Sequence, residues 1–286
     1  MKDAVAKILL IITLFFTFVG CSSCASSSYF FGPGNLFRDK RRSFIKIDIY
    51  KNILLTRTST EGIEAQEEEY ELNMRSSASG FLVGHDRDVS LIATSAHVCT
   101  VLSGKQLNRF IPDFDPSSRV WNVKEKNAFI KNDYKGRAYA GIPIAYDIRA
   151  DICILASSLI SIPALRISKS DPIIGEKYYN IAAPMGLWSK QMIPLFEGYY
   201  LGKMKTYKGQ KKSYAFSIPT KGGSSGSPII NSQGEVVGAI HSAYRGFENL
   251  CMATTNHQIY MLYRSSMSKL LKDYDMYKTI IDLINT

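Results

Sequence analysis

Thr220-Lys-Gly-Gly-Ser-Ser-Gly-Ser-Pro228 sets a serine, Ser225, among glycines and closes on proline, the composition of a tight exposed loop. Glycine at 223 lets the backbone turn so that its own N–H and that of Ser225 point the same way, the pair of donors that a developing oxyanion needs. A serine hydroxyl is a weak nucleophile until a base takes its proton. The chain has four histidines. His97 stands in Leu91-Ile-Ala-Thr-Ser-Ala-His-Val-Cys99, where an apolar run ends in small residues that let an imidazole reach a cleft. Asp151 heads Asp-Ile-Cys-Ile-Leu155, a carboxylate at the mouth of a buried strand. Asp147 is a nearby alternative, but no apolar run follows it directly. Ser224 and Ser227 are less well placed and take structural or subsite roles. Singly, each of these is an ordinary turn, cap or strand-end residue. Together, in the order His97, Asp151, Ser225, they offer base, orienting carboxylate and nucleophile for acyl transfer. That chemistry needs no cofactor and no metal, and no spacing here resembles a metal site.

The elements that must carry these residues are strands. Residues 43–55 are strand-like, and Ala78-Ser-Gly-Phe-Leu-Val83 opens another strand after a solvated acidic stretch from Glu61 to Glu71. Residues 104–143 read as a hairpin with long loops, and the first barrel spans about 44–160. A second begins near Ala164 with strands at 177–182, 196–201, 213–217, 228–230 and 236–241, the last two joined by the turn Asn231-Ser-Gln-Gly234. From Met261 to Ile284 apolar residues recur at helical spacing, which predicts a terminal helix over 263–286. No repeats are apparent.

The N-terminus has a charged start, Met1 to Lys7, and an apolar run from Ile8 to Val19, the pattern of a secretory signal within residues 1–25. The run falls short of the roughly 20 apolar residues of a membrane-spanning helix. A retained anchor is the alternative. Phe18-Val-Gly-Cys21 approximates a lipoprotein signal, which would attach the mature chain to a membrane through a lipidated Cys21. Ser23-Cys-Ala25 offers ordinary cleavage and a soluble product instead. Residues 26–43, rich in Ser, Gly and Pro and carrying Arg38-Asp-Lys-Arg-Arg42, read as a tether. Cys99, Cys153 and Cys251 are odd in number and lie in apolar surroundings, so they are expected to be buried thiols rather than a disulfide framework. The formal net charge is +10. Such a field suits anionic envelopes, acidic substrates or nucleic acid. No nucleic-acid motif accompanies it, and the scattered basic residues imply a solvated surface; the protein is expected to be a monomer.

Ala78-Ser-Gly-Phe-Leu-Val83, Thr94-Ser-Ala-His-Val, Ala150-Asp-Ile-Cys-Ile-Leu, Asn180-Ile-Ala-Ala-Pro-Met-Gly186 and Gly223-Ser-Ser-Gly-Ser-Pro228 together resemble the chymotrypsin-like (trypsin-like) serine peptidases over about residues 44–262. The resemblance implies an all-β fold, two antiparallel six-stranded β-barrels followed by a C-terminal α-helix. It implies an endopeptidase acting on polypeptides, with His97, Asp151 and Ser225 as triad and Gly223 and Ser225 as oxyanion donors. Within that group the chain is most similar to the bacterial glutamyl endopeptidases, in Thr220 through Pro228 and in Val237-Gly-Ala-Ile-His241. That likeness implies that Thr220 and His241 line the first specificity pocket and accept a glutamate side chain, a hydroxyl and an imidazole both being able to donate to a carboxylate. The family's usual N-terminus, which helps bind that carboxylate, has no counterpart here. A catalytically inactive peptidase-fold surface protein and a periplasmic quality-control peptidase are the alternative readings.

Overall fold

The computed structural model describes residues 33–59, 66–100, 107, 121–133, 135–205, 212–244 and 246–285. The chain divides into Met1–Asn35 and Leu36–Thr286, and the barrels and C-terminal helices described below belong to the second unit. The expected signal at residues 1–25, with Cys21, lies outside the described residues. So do residues 26–32 of the expected tether, but its remainder is not irregular. Pro33–Lys40 is a helix, α1, followed by a 3₁₀ turn at Arg41–Ser43. Proline starts α1, where its missing N–H costs nothing, and Arg38 and Lys40 sit in its last turn, where cations favour the dipole.

Twelve strands form two closed antiparallel barrels of six. The first is built from β1 (Phe44–Ser59), β2 (Gln66–Asp86), β3 (Val89–Thr94), β4 (Trp121–Asn132), β5 (Ala138–Asp147) and β6 (Ile152–Ser158), in the order β1-β2-β3-β6-β5-β4. Between β3 and β4 comes a short helix, α2 (Ala96–Cys99). The second barrel joins β7 (Lys177–Ile181), β8 (Leu195–Lys205), β9 (Lys212–Phe216), β10 (Pro228–Ile230), β11 (Val236–Tyr244) and β12 (Phe247–Thr255), in the order β10-β11-β12-β9-β8-β7. β2 begins at Gln66, inside the acidic stretch expected to be a loop, because it pairs residue for residue with β1 out to Ser59↔Gln66. Residues 61–65 of that stretch lie outside the described residues.

Each barrel buries one face of its strands inside. The first is filled by Ile45, Ile47, Leu82, Ile92, Phe129 and Leu155. The second is filled by Tyr178, Tyr200, Tyr214, Phe216, Ile229 and Val237, with Tyr178 and Phe216 edge to face at 5.4 Å between centroids. The outward faces of β3, β6 and the 78–84 end of β2 are also covered, so β3 is buried throughout. Phe81, Leu91, Ile154 and Ile181 join Ile230, Val236, Ile259 and Leu270 in a third core shared by the barrels and the C-terminal helices. The segment between the barrels, residues 159–176, is stitched to both of them. Leu165 N–H donates to Leu82 O, while Ser168 N–H donates to Val236 O and Val236 N–H to Arg166 O.

The terminal helical region is two helices, α3 (Asn256–Lys272) and α4 (Tyr274–Asn285). α3 starts seven residues before the expected boundary. Thr255 and Gln258 form a reciprocal capping box there, which fixes the start at the end of β12. The break falls at Asp273, whose extended backbone ends α3 and whose carboxylate accepts from Met276 N–H.

Cys99 and Cys153, expected as separate buried thiols, are joined in a disulfide. β3 and β6 are neighbours with Thr94 opposite Cys153, and α2 folds back after β3 to carry Cys99 over that position. Only Cys251 is free among the described residues, and burial pushes its thiol up to about 12.

Candidate active site

His97 projects from α2, the single turn that follows β3. Asp151 sits at the turn between β5 and β6, with its backbone in the left-handed region at φ 52°, a conformation that aspartate tolerates better than most side chains. Ser225 lies in the loop before β10. These three segments, scattered over the chain, meet where the barrels face each other. His97 Nε2 is 2.9 Å from Ser225 Oγ, and its Nδ1 is 2.8 Å from Asp151 Oδ2. Asp151 Oδ1 accepts the backbone N–H of His97 at 2.9 Å, so both carboxylate oxygens hold the same residue. Burial raises the Asp151 carboxyl, but the hydrogen bonds and charge of His97 outweigh it and leave the group below the ordinary carboxylate range. The ionised form is therefore the resident one.

Asp147, the alternative carboxylate, is used differently. Its Oδ1 accepts the N–H groups of Arg149 and Ala150 and so shapes the turn that presents Asp151. Ser224 and Ser227 hold the loop. Ser224 N–H donates to Lys221 O and Ser227 N–H to Ser224 O, while Ser227 Oγ accepts from Asn180 Nδ2 at 2.8 Å.

The N–H groups of the loop alternate in use. Those of Ser224 and Gly226 donate to Lys221 O and Ile240 O, whereas among the described residues those of Gly223 and Ser225 donate to no protein acceptor. Gly223 has φ 96°, and a Cβ there would lie 2.5 Å from Ala183 O. Only glycine lets this stretch approach the 183–186 segment so closely. The first barrel braces the loop through Ser79, a residue that sequence reasoning saw only as part of a strand. Its Oγ donates to Gly223 O at 2.8 Å and accepts from Ala183 N–H, and its N–H donates to Ser225 O at 2.9 Å. Thr94 Oγ1 donates in turn to Ser79 O at 2.8 Å.

The two residues expected to line a specificity pocket are not joined. Thr220 is buried beside the loop at 5% exposure. His241 instead places Nε2 at 3.0 Å from Ser213 Oγ and Nδ1 at 3.0 Å from Ser242 Oγ. It lines a cavity of about 310 Å³ together with His97, Asp151 and Ser213. Burial lowers its pKa, and so does the nearby His97, against the pull of Asp151. Its protonated form, the one that would pair best with an acidic substrate, is thus disfavoured.

Two six-stranded barrels with this cleft between them define the chymotrypsin-like fold. The family model of the trypsin-like peptidase domain matches residues 78–238, more than half of the chain, and the chain belongs to that family. Rv3671c of M. tuberculosis H37Rv, solved as an inactive serine-to-alanine mutant, has the same fold with a TM-score of 0.54 at 14% identity, over 82% of this chain and 92% of that one. The active form of the Rv3671c protease superposes with a TM-score of 0.53 at 14% identity, over 79% of this chain and 82% of that one. No curated protein matches the chain in sequence.

Proposed function

We propose that the protein is a serine endopeptidase with Ser225 as nucleophile, His97 as general base and Asp151 as the carboxylate that orients it. The hydrogen-bonded line from Asp151 through His97 to Ser225 carries this reading. With Nδ1–H held on Asp151, the unprotonated Nε2 faces the hydroxyl and accepts its proton as Oγ attacks the peptide carbonyl. The oxyanion that forms is received by the unused N–H groups of Gly223 and Ser225. The imidazolium then protonates the leaving amine, and water releases the acyl group by the same route in reverse. No cofactor takes part.

The mature chain is secreted or attached to the cell envelope, by a lipid on Cys21 or by release after the signal. The Cys99–Cys153 disulfide supports this address, since such bonds persist in oxidising compartments. The substrates are polypeptides. Cleavage after glutamate rests on the buried hydroxyl of Thr220, without His241. Profiling on a peptide library decides it, and cuts chiefly after Arg, Lys or large apolar residues would remove it.

Labelling by an active-site phosphonate, with mapping of the modified residue, tests the whole reading. Ser225 is the expected adduct, and Ser225→Ala should abolish both labelling and hydrolysis while leaving the fold intact. Hydrolysis at the parent rate by Ser225→Ala would overturn it. Asp151→Asn should lower kcat by about 10⁴-fold through the wrong imidazole tautomer, and Asp147→Asn far less.

A further inference from the structure

His241 is the polar side chain beside the triad for which the reaction above has no use. It stands on β11 just past Ile240, whose carbonyl accepts from Gly226 N–H and from Ser95 Oγ, so its backbone is fixed to the nucleophile loop and to the segment leading to His97. Its ring is fixed as well, between a hydroxyl of β9 and one of its own strand. A neutral imidazole carries one N–H and one lone-pair nitrogen, so it donates to one serine and accepts from the other, whichever tautomer is present. Asp151, whose side chain is 24% exposed, lines the same cavity as His241. The charged or titratable groups on that cavity are His97 and Asp151 themselves, His241, and Arg149 on the exposed rim. A carboxylate in such a position has spare lone pairs, and a water, a cation or the Arg149 guanidinium bound to them would compete with His97.

We propose that His241 is a positioning residue of the triad, an imidazole clamped by Ser213 and Ser242 behind Asp151 that gives the outer face of the carboxylate a fixed, neutral, polar wall and keeps both of its oxygens on His97. Burial favours the neutral form that this role requires. A second positive charge facing the same carboxylate would instead divide its attraction between two imidazoles. The role rests on the triad proposed above.

The test compares His241→Gln, whose amide both donates and accepts, with His241→Leu, which fills similar space without polar atoms. Three readouts are needed: kcat and KM on a peptide, the rate of phosphonate labelling at Ser225, and the far-downfield proton resonance of the His97 Nδ1–H···Asp151 hydrogen bond. His241→Leu should lower kcat about tenfold with KM changed less than about twofold, slow labelling equally and displace the resonance. His241→Gln should restore all three to near the parent. Parent-like kcat and an unmoved resonance in His241→Leu would overturn the proposal, leaving His241 a packing residue. A raised KM with kcat kept in both variants would overturn it differently, by placing His241 against the substrate. Near-UV circular dichroism reports whether His241→Leu folds. Should it not, Ser213→Ala, which frees one side of the clamp, is expected to shift the resonance and lower kcat in the same direction, and its failure to do so would also sink the idea. The resonance does not depend on turnover, so a parent protein that neither labels at Ser225 nor hydrolyses peptides would refute the triad reading separately.

Discussion

At the scale of single residues, charge is placed so that the site depends on pH in two windows. His241 is held below the usual histidine pKa, so below about 6.5 the unfolded chain binds a proton that the folded protein resists, and stability is lost as the pH falls. Asp151 is held below the ordinary carboxylate value, so its contribution is present at neutral pH and is lost as the pH falls through its folded pKa. Urea unfolding followed across pH should show the midpoint dropping first in the histidine range and again in the carboxylate range. His241→Gln should remove part of the upper step and Asp151→Asn part of the lower. An unchanged upper step in His241→Gln would show that another group titrates there. His97, Asp151 and Ser225 were legible in the sequence because each closes or opens a segment of distinctive composition, and the structure brings the three together. The position of His241 was not. One residue along a strand decides which side of the sheet a side chain faces, and a likeness of motifs does not fix that register.

At the scale of elements, two close approaches build the cleft. Gly226, at φ 84°, lies against Ser79 and Thr94 of the first barrel, and a Cβ there would overlap the Ser79 carbonyl and the Thr94 hydroxyl. Gly226→Ala is both strained and obstructed. It should push the nucleophile loop away from His97, abolishing phosphonate labelling and lowering the melting temperature, and wild-type labelling would contradict the packing. The disulfide acts on the other two members. It joins the residue two beyond His97 to the residue two beyond Asp151, closing 54 residues of chain. Reduction or Cys99→Ser should cost about 2–4 kcal/mol in stability. It should also lower kcat more than it raises KM, because the freedom gained falls between base and carboxylate. Calorimetry and steady-state kinetics under matched redox conditions check both, and a reduced protein as stable and active as the oxidised one would refute the first and second claims respectively. Local composition showed the apolar strand around Cys153 but not its neighbour. The pairing depends on β3 lying beside β6, a relation that no sequence spacing states. Thr255 and Gln258 did carry a readable signal for the start of α3, the Thr-x-x-Gln pattern of a capping box, but it was hidden by the strand preceding it.

At the scale of the molecule, the two barrels were readable as alternating strands with turn signals, whereas what holds them together was not, because it belongs to neither alone. The third core draws Leu91 and Ile154 from the first barrel, Ile230 and Val236 from the second, and Leu270, Tyr277 and Ile280 from the helices. The helices follow the second barrel in the chain yet cover the first. Arg87, in the turn from β2 to β3, fixes α4 there. Its guanidinium lies 3.7 Å from the Tyr277 ring centroid and donates to Asp86, and Tyr277 Oη accepts from Asp88 N–H. A stacked cation of this kind is worth roughly 0.5–2 kcal/mol. Removal of residues 273–286 would take Tyr277 and Ile280 out of this core and uncover part of it without touching a triad residue. The expected result is a lowered melting temperature and a binding site for a hydrophobic dye, together with loss of activity in step with loss of structure, since the cleft exists only while the barrels stay apposed. Tyr277→Ala should do the same in smaller measure, by about 3–5 kcal/mol as for other large aromatic truncations. Arg87→Ala should fall below it. A truncated chain with parent stability, or one that keeps its fold while losing phosphonate labelling, would mean that the helices serve the site directly rather than through the shared core.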